Sequence, residues 1–234
     1  MAKRSDPAII VWQEFDSAVE LPKLADSLSG WTIDKKRRSH WNAHRAEGGS
    51  TYFLKWFYHH RLRSPAQVEW RNAQWLQRLE VPTVAVAGWG RHPRGSFVVF
   101  TGSPGYPANQ WRERGLTAGR LAALARRFAG HIARLHHARL CHRDLNVYHV
   151  LIHGDSVRLI DVGRVRRFRR RRWLVKDLAS LLDTAGFEGL PAQVMRAFFL
   201  SYLKQSPHLH RRRLLKAVIE KARAYRRHNE KHGR

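Results

Sequence analysis

The stretch Cys141-His142-Arg143-Asp144-Leu145-Asn146-Val147-Tyr148-His149-Val150-Leu151, followed by Leu159-Ile160-Asp161-Val162-Gly163, constrains this chain more than any other feature. It comes after a segment of helical periodicity, in which Leu121, Leu124, Ala125, Phe128, Ile132 and Leu135 share one face of a helix predicted over 117–138. Beyond it, 150–152 and 157–162 read as two short strands around a Gly154-Asp155 turn. A polar loop held between a buried helix and a strand pair is a rigid platform. This one, with the residues that follow it, carries two carboxylates, two imidazoles and a guanidinium at fixed spacing.

The order is His-Arg-Asp, then a side-chain ligand five residues after the Asp, then a hydrophobic strand ending in Asp-x-Gly. It is the signature of protein kinases. Phosphoryl transfer needs chiefly positioning and charge neutralisation. Asp144 is expected to orient the acceptor hydroxyl and take its proton, and Asp161 to hold magnesium against the phosphates. The triplet alone would arise by chance in a very basic chain. Its register with His149, Asp161 and Gly163 is what carries the reading.

The first half of the chain reads mainly as strands. Residues 9–12 and 31–33 are short candidates, with a short helix between them over 21–28. Thr51-Tyr52-Phe53-Leu54-Lys55-Trp56-Phe57 is a β-rich aromatic run. Ser64-Pro65 is a helix start, Ser at the cap and Pro in the first turn, for a helix to about residue 79. Strands follow over 84–89 and 97–100. Lys55 is placed as a phosphate-binding lysine, and Glu69 on the next helix as its ion-pair partner. Each alone would more often be an exposed side chain, and their order before the His-Arg-Asp loop favours function. Gly48 and Gly49, in Arg45-Ala46-Glu47-Gly48-Gly49-Ser50, either let backbone N–H groups approach phosphate or simply form a hairpin turn. The second half reads mainly as helices, over 173–185, 191–204 and 210–227. A strand-rich half before a helix-rich half predicts an α+β fold with two lobes: an N-terminal antiparallel sheet with one helix over about 1–101, and a mostly helical lobe over about 107–234.

From about Tyr52 to Ala185 the chain resembles the lipopolysaccharide core kinases of the Kdo/WaaP type, within the protein-kinase-like superfamily. The resemblance rests on Tyr52-Phe53-Leu54-Lys55, Glu69-Trp70-Arg71, His142-Arg143-Asp144 with His149, Ile160-Asp161, and the block Trp173 through Leu182. It implies an ATP-dependent enzyme phosphorylating a sugar hydroxyl. It also implies that Asp177 anchors the backbone of the loop carrying His142 and Arg143. The segment from Asp161 to Asp177 is too short for a regulated activation segment and lacks Ala-Pro-Glu, which favours a sugar acceptor over a protein. His149 stands where protein kinases place Asn. The heptose-kinase branch is similar in this, so heptose is favoured over Kdo. Imidazole suits softer metals than magnesium, so His149 either binds the second metal weakly or hydrogen-bonds Asp144 or a phosphate; manganese is an alternative ion.

Charge points to an anionic partner. The 234 residues hold 44 Lys+Arg against 18 Asp+Glu, a formal net charge of +26, and such a chain associates with polyanions. Seven arginines, from Arg164 to Arg172, follow Asp161-Val162-Gly163. Guanidinium groups pair bidentately with carboxylate and phosphate. Arg166, Arg167, Arg169 and Arg170 are therefore expected to bind an anionic glycolipid acceptor and draw the protein to an anionic membrane surface. The other basic clusters, Lys35 to Arg38 and Arg211 to Arg213, read more simply as solvated surface. The sequence shows no zinc-finger or RRM pattern, so no specific nucleic-acid partner is expected. One cysteine excludes an internal disulfide, and the N-terminal residues lead into no long apolar stretch. The expected location is the cytoplasm, peripheral on the inner face of the cell membrane. Two alternatives remain open: a protein kinase, and a nucleotide-binding pseudokinase or scaffold. The oligomeric state is not set by anything in the sequence.

Overall fold

The structure is a computed structural model describing residues 11–15, 30–47, 49–58, 64–92, 94–102 and 104–232. The helix expected over 21–28, and Gly48, lie outside the described residues. The chain divides into two compact units, 1–75 with 84–103, and 76–83 with 104–234.

The first unit is built on an antiparallel sheet of six strands: β1 (Val11–Phe15), β2 (Thr32–Lys36), β3 (His40–Glu47), β4 (Ser50–Tyr58), β5 (Val86–His92) and β6 (Gly95–Thr101). Their order is β1-β5-β6-β4-β3-β2. Side chains alternate across a strand, and β4 shows the consequence. Leu54 and Trp56 are buried on one face with Ala87, Phe97 and Val99. Trp41, Trp56 and Phe97 sit opposite one another in register across β3, β4 and β6. Their rings stack at 5.6 Å and 5.9 Å, a cross-strand column of the kind that fixes register. Phe57 faces the other way, onto a cluster of Ala66, Trp70, Trp89 and Val98. Ala66 and Trp70 belong to helix α1 (Pro65–Arg78), whose first turn is capped by Ser64 Oγ accepting from the Gln67 N–H at 3.3 Å.

β3 was not expected from the sequence. Its residues, HWNAHRAE, show no apolar run. It is a strand because β2 and β4 pair with it on both sides, supplying from outside the hydrogen bonds its composition does not advertise.

The second unit is mostly helical. Its helices are α2 (Ala118–His137), α3 (Arg172–Phe187), α4 (Ala192–Gln205) and α5 (Arg211–Lys231). Short strands β7 (Tyr106–Pro107), β9 (Val150–His153) and β10 (Ser156–Leu159) form one small sheet, and β8 (Leu140–Cys141) pairs with β11 (Arg166–Arg167) in another. Helix α2 starts where the sequence placed it: Thr117 caps it, its side chain accepting from the Arg120 N–H at 3.3 Å. Leu121, Leu124, Phe128, Ile132 and Leu135 are buried on its inner face. Burying each such side chain contributes roughly 1.5–3 kcal/mol, so this stripe fixes the helix that ends at the polar loop.

On the same helix His131 lies 2.7 Å from Arg134. Burial, and then the guanidinium, hold its imidazole down to about 4, from an ordinary 6.5. A folded-state pKa below the unfolded one means the unfolded chain takes up the proton first. The contribution of His131 to stability is therefore complete above about 6.5 and lost as pH falls toward 4. Thermal melts are expected to drop between pH 7 and pH 5, and His131→Gln to flatten that slope; an unchanged slope would refute the assignment.

Candidate active site

In the first unit, alternation along β4 sends Lys55 to the face that α1 covers. Glu69 shares the inner side of α1 with Ala66 and Trp70, one helical turn apart. Lys55 Nζ lies 3.3 Å from Glu69 Oε1 and 3.0 Å from Oε2. Glu69 is only 1% exposed and Lys55 15%. A carboxylate so buried requires its partner: removing one member of such a pair costs about 3–5 kcal/mol. The pair expected from the sequence thus exists, and each member fixes the other. Gly49, at φ +77°, sits in the turn where Glu47 pairs with Ser50 across β3 and β4. That positive φ is ordinary for glycine and strained for residues with a Cβ.

In the second unit the His-Arg-Asp loop is held from beneath by Asp177 of α3. Its Oδ2 accepts the His142 backbone N–H at 2.6 Å and its Oδ1 that of Arg143 at 2.8 Å. Asp177 is 2% exposed, and buried His136 of α2 approaches the same Oδ2 at 3.4 Å. Arg143 has a φ of +67°, a left-handed backbone that a non-glycine residue adopts only when its surroundings demand it. The two N–H bonds to one carboxylate supply that demand, and the Arg143 guanidinium then rests 4.8 Å over the Trp173 ring. His142 is fully buried; Nε2 donates to the Ile160 carbonyl at 3.1 Å, tying the loop to the residue before Asp161. Burial keeps its imidazole below the ordinary range, so it is neutral. Cys141 is buried, and burial followed by the Asp177 charge pushes its thiol up to about 12; it is an inert packing residue.

β10 ends at Leu159, three residues short of the expected strand. The Leu159 N–H donates to the Pro82 carbonyl at 2.8 Å, and the Thr83 hydroxyl to the Leu159 carbonyl at 2.7 Å. Asp161 is left-handed, at φ +54° and ψ +54°. The chain therefore turns at Asp161 instead of running on as a strand. Asp144, His149 and Asp161 each offer a ligand atom within 4.8 Å of the others, and His149 Nε2 lies 3.7 Å from Asp161 Oδ2.

Asn146, to which the sequence reading gave no role, organises this cluster. Its side-chain oxygen accepts from the His149 backbone N–H at 3.1 Å, and its amide donates to the Asp144 carbonyl at 3.1 Å and to Asp144 Oδ1 at 3.3 Å. His149 Nδ1 is 2.9 Å from the same Asp144 carbonyl. Nδ1 thus sits against the Asp144 carbonyl and, at 3.1 Å, the Asn146 amide, which leaves Nε2, on the Asp161 side, as the ring nitrogen a metal could take. Two carboxylates and one such imidazole fit a divalent cation; oxygen donors suit magnesium, and the imidazole admits manganese. The signal that could have found Asn146 is its place as cap of the 3-10 turn Val147–His149.

The arginine run separates into parts. Arg164 reaches Asp144 Oδ2 at 3.5 Å, a contact not foreseen. Arg166 and Arg167 form β11, paired in register with Cys141 and Leu140; the Arg166 guanidinium also donates to the carbonyls of Gly163 at 3.1 Å and Val165 at 2.7 Å. Arg170 offers its carbonyl to the Trp173 N–H at 3.2 Å, ahead of the first turn of α3. Arg169 lines a cavity beside the run. No helix among the described residues is long and apolar enough to cross a membrane.

Comparison with known proteins bears on the fold and the family. The structure is similar to the crystal structure of an aminoglycoside-3'-phosphotransferase of type VIII, with a TM-score of 0.59 and 20% identity, over 86% of this chain and 97% of that one. At that identity the likeness establishes the fold, which is kinase-like and α+β. No curated protein matches the chain in sequence. The profile of the lipopolysaccharide kinase (Kdo/WaaP) family matches residues 107–202, which include Asp144, His149, Asp161 and Asp177. Residues 107–202 thus match the lipopolysaccharide kinase (Kdo/WaaP) family on a kinase-like fold, and that family match indicates an ATP-dependent kinase.

Proposed function

We propose that the protein transfers the terminal phosphoryl group of ATP to a sugar hydroxyl of a lipopolysaccharide inner core, with heptose favoured over Kdo. The observation that carries this reading is the convergence of Asp144, His149 and Asp161 within 4.8 Å, on a loop whose backbone is held by buried Asp177. Asp144 orients the acceptor hydroxyl and takes its proton as the oxygen attacks. Asp161 and His149 would hold the divalent cation, magnesium or manganese, which when bound neutralises phosphate charge. Lys55, oriented by Glu69, is assigned to the nucleotide phosphates, with Gly48 and Gly49 as a second approach to them. Arg166, Arg167, Arg169 and Arg170 are assigned to the anionic acceptor. A basic chain of this kind would work at the inner face of the membrane without spanning it. His149 in place of Asn is the feature that favours heptose.

The test is transfer of label from ATP, with magnesium, to dephosphorylated lipopolysaccharide core beside a generic protein substrate. Label in the glycolipid supports the proposal. Label only in protein replaces it with a protein kinase, and ATP binding without transfer replaces it with a pseudokinase. In the same assay, changing Arg166, Arg167, Arg169 and Arg170 together to Gln is expected to raise the acceptor KM at least tenfold and leave the ATP KM within about twofold; four charge-assisted contacts at about 1.5–3 kcal/mol each make this a low bound. Equal changes in both constants would remove the acceptor role.

A further inference from the structure

The second unit contains a cavity of about 490 Å³ lined by His136, His137, Arg139, Phe168, Arg169, Arg171, Leu174, His208 and Leu209. Among the described residues, none of Asp144, His149 and Asp161 lines it, and neither does any other Asp or Glu. Its apolar lining is Phe168 with the buried side chains of Leu174 and Leu209. Buried His136 closes one wall, with Nδ1 against the Tyr202 hydroxyl at 2.8 Å and its ring edge-on to Phe168 at 6.2 Å. Arg139, Arg169, Arg171, His137 and His208 lie exposed around it. The rings of His137 and His208 lie 5.2 Å apart, and His137 is fixed by Ser206 Oγ at 3.1 Å.

Three guanidinium groups gathered about one concavity without a carboxylate in its lining repel one another. An anion seated among them would relieve that repulsion and accept several charge-assisted hydrogen bonds. The volume is that of a pocket for an organic molecule, in the range of roughly 300–1,000 Å³ typical of small-molecule sites, and exceeds what a bare oxyanion fills. Phe168, Leu174 and Leu209 give the lining an apolar part against which carbon can pack. The Phe168 N–H donates to the Arg139 carbonyl at 2.8 Å, which ties the arginine run to the end of α2 beside the cavity.

We infer that this cavity binds an organic phosphate monoester of the size of a sugar phosphate, its phosphate held by Arg139, Arg169, Arg171 and the His137–His208 pair and its carbon skeleton laid on Phe168, Leu174 and Leu209. The site is additional to the one assigned to phosphoryl transfer. It would hold a phosphate that the acceptor glycan already bears.

Calorimetric titration without ATP or metal tests this independently of any transfer activity. The probes are glucose 6-phosphate, glucose and inorganic phosphate, against the full chain and against Arg139→Gln and His208→Gln, two exposed side chains. Glucose 6-phosphate is expected to bind at least tenfold more tightly than inorganic phosphate, and glucose not to bind. Each variant should weaken glucose 6-phosphate at least tenfold with its melting temperature unchanged, while Asp161→Asn binds it as the parent does. Equal affinity for inorganic phosphate would overturn the organic ligand. Undiminished binding in both variants, or no binding to the parent chain, would overturn the site. Loss of binding in Asp161→Asn would show that the ligand sits at the transfer site instead.

Discussion

Asp161→Asn is expected to lower kcat by about 10²–10³-fold while leaving the fold intact. The prediction follows from what this one substitution changes. Asp161 sits at φ +54° and ψ +54°, where asparagine is among the few side chains that sit comfortably, so the backbone turn survives. The shape of the side chain survives as well. What disappears is the negative charge beside His149 Nε2, 3.7 Å away, and with it the charged oxygen a divalent ion would need. Loss of one preorganised electrostatic group in such a site costs roughly 10²–10³ in rate, and phosphoryl transfer relies on charge neutralisation more than most reactions do. Single-turnover transfer of label from ATP measures the rate, and a thermal melt checks the fold. A rate within tenfold of the parent would remove Asp161 from the chemistry. Asp161→Ala is the poorer experiment, because alanine dislikes the left-handed backbone and would confound charge with strain.

Asp177→Ala is expected to destabilise the protein by about 3–5 kcal/mol and to abolish transfer, although Asp177 is given no contact with substrate. The carboxylate accepts two backbone N–H groups, from His142 and Arg143, in a site where it is itself 2% exposed. Without it those donors remain buried with no acceptor, at roughly 1–3 kcal/mol each. His136, paired with the same oxygen at 3.4 Å, loses a partner too. In a protein of this size about 1 kcal/mol corresponds to 2–4 °C, so the melting temperature should fall by about 10 °C. Activity is lost for a separate reason. Arg143 is held at φ +67° by these bonds; released, the loop relaxes and Asp144 leaves its place. Asp177→Asn distinguishes the two effects. Its carbonyl still accepts one N–H, but its amide faces the other donor, so stability should fall by less than in the alanine variant while activity stays low. A melting temperature within 2 °C of the parent in Asp177→Ala would show that the anchor is not structural.

The sequence by itself named the candidate residues of the site and the elements that bracket them. The stripe from Leu121 to Leu135, Ser64-Pro65 before α1 and the Gly154-Asp155 turn are local patterns, and each was found in place. A cap or a one-sided stripe records burial in the order of residues itself, so it is legible without a structure. The Lys55–Glu69 pair was legible for a related reason: strand alternation and helical spacing together decide which way both side chains face. Tertiary structure alone decided that polar His40–Glu47 is a strand, that β10 stops at Leu159 and Asp161 turns left-handed, and that Arg166 and Arg167 pair with Leu140 and Cys141. It alone placed Asn146 between Asp144 and His149, and Arg164 against Asp144. Each of these rests on hydrogen bonds or charges between segments distant in sequence, or on a turn too short to leave a period. The arginine run shows the division most clearly: composition announced its charge, but only the folded chain showed which of its members meet Asp144, which join a strand, and which surround a cavity.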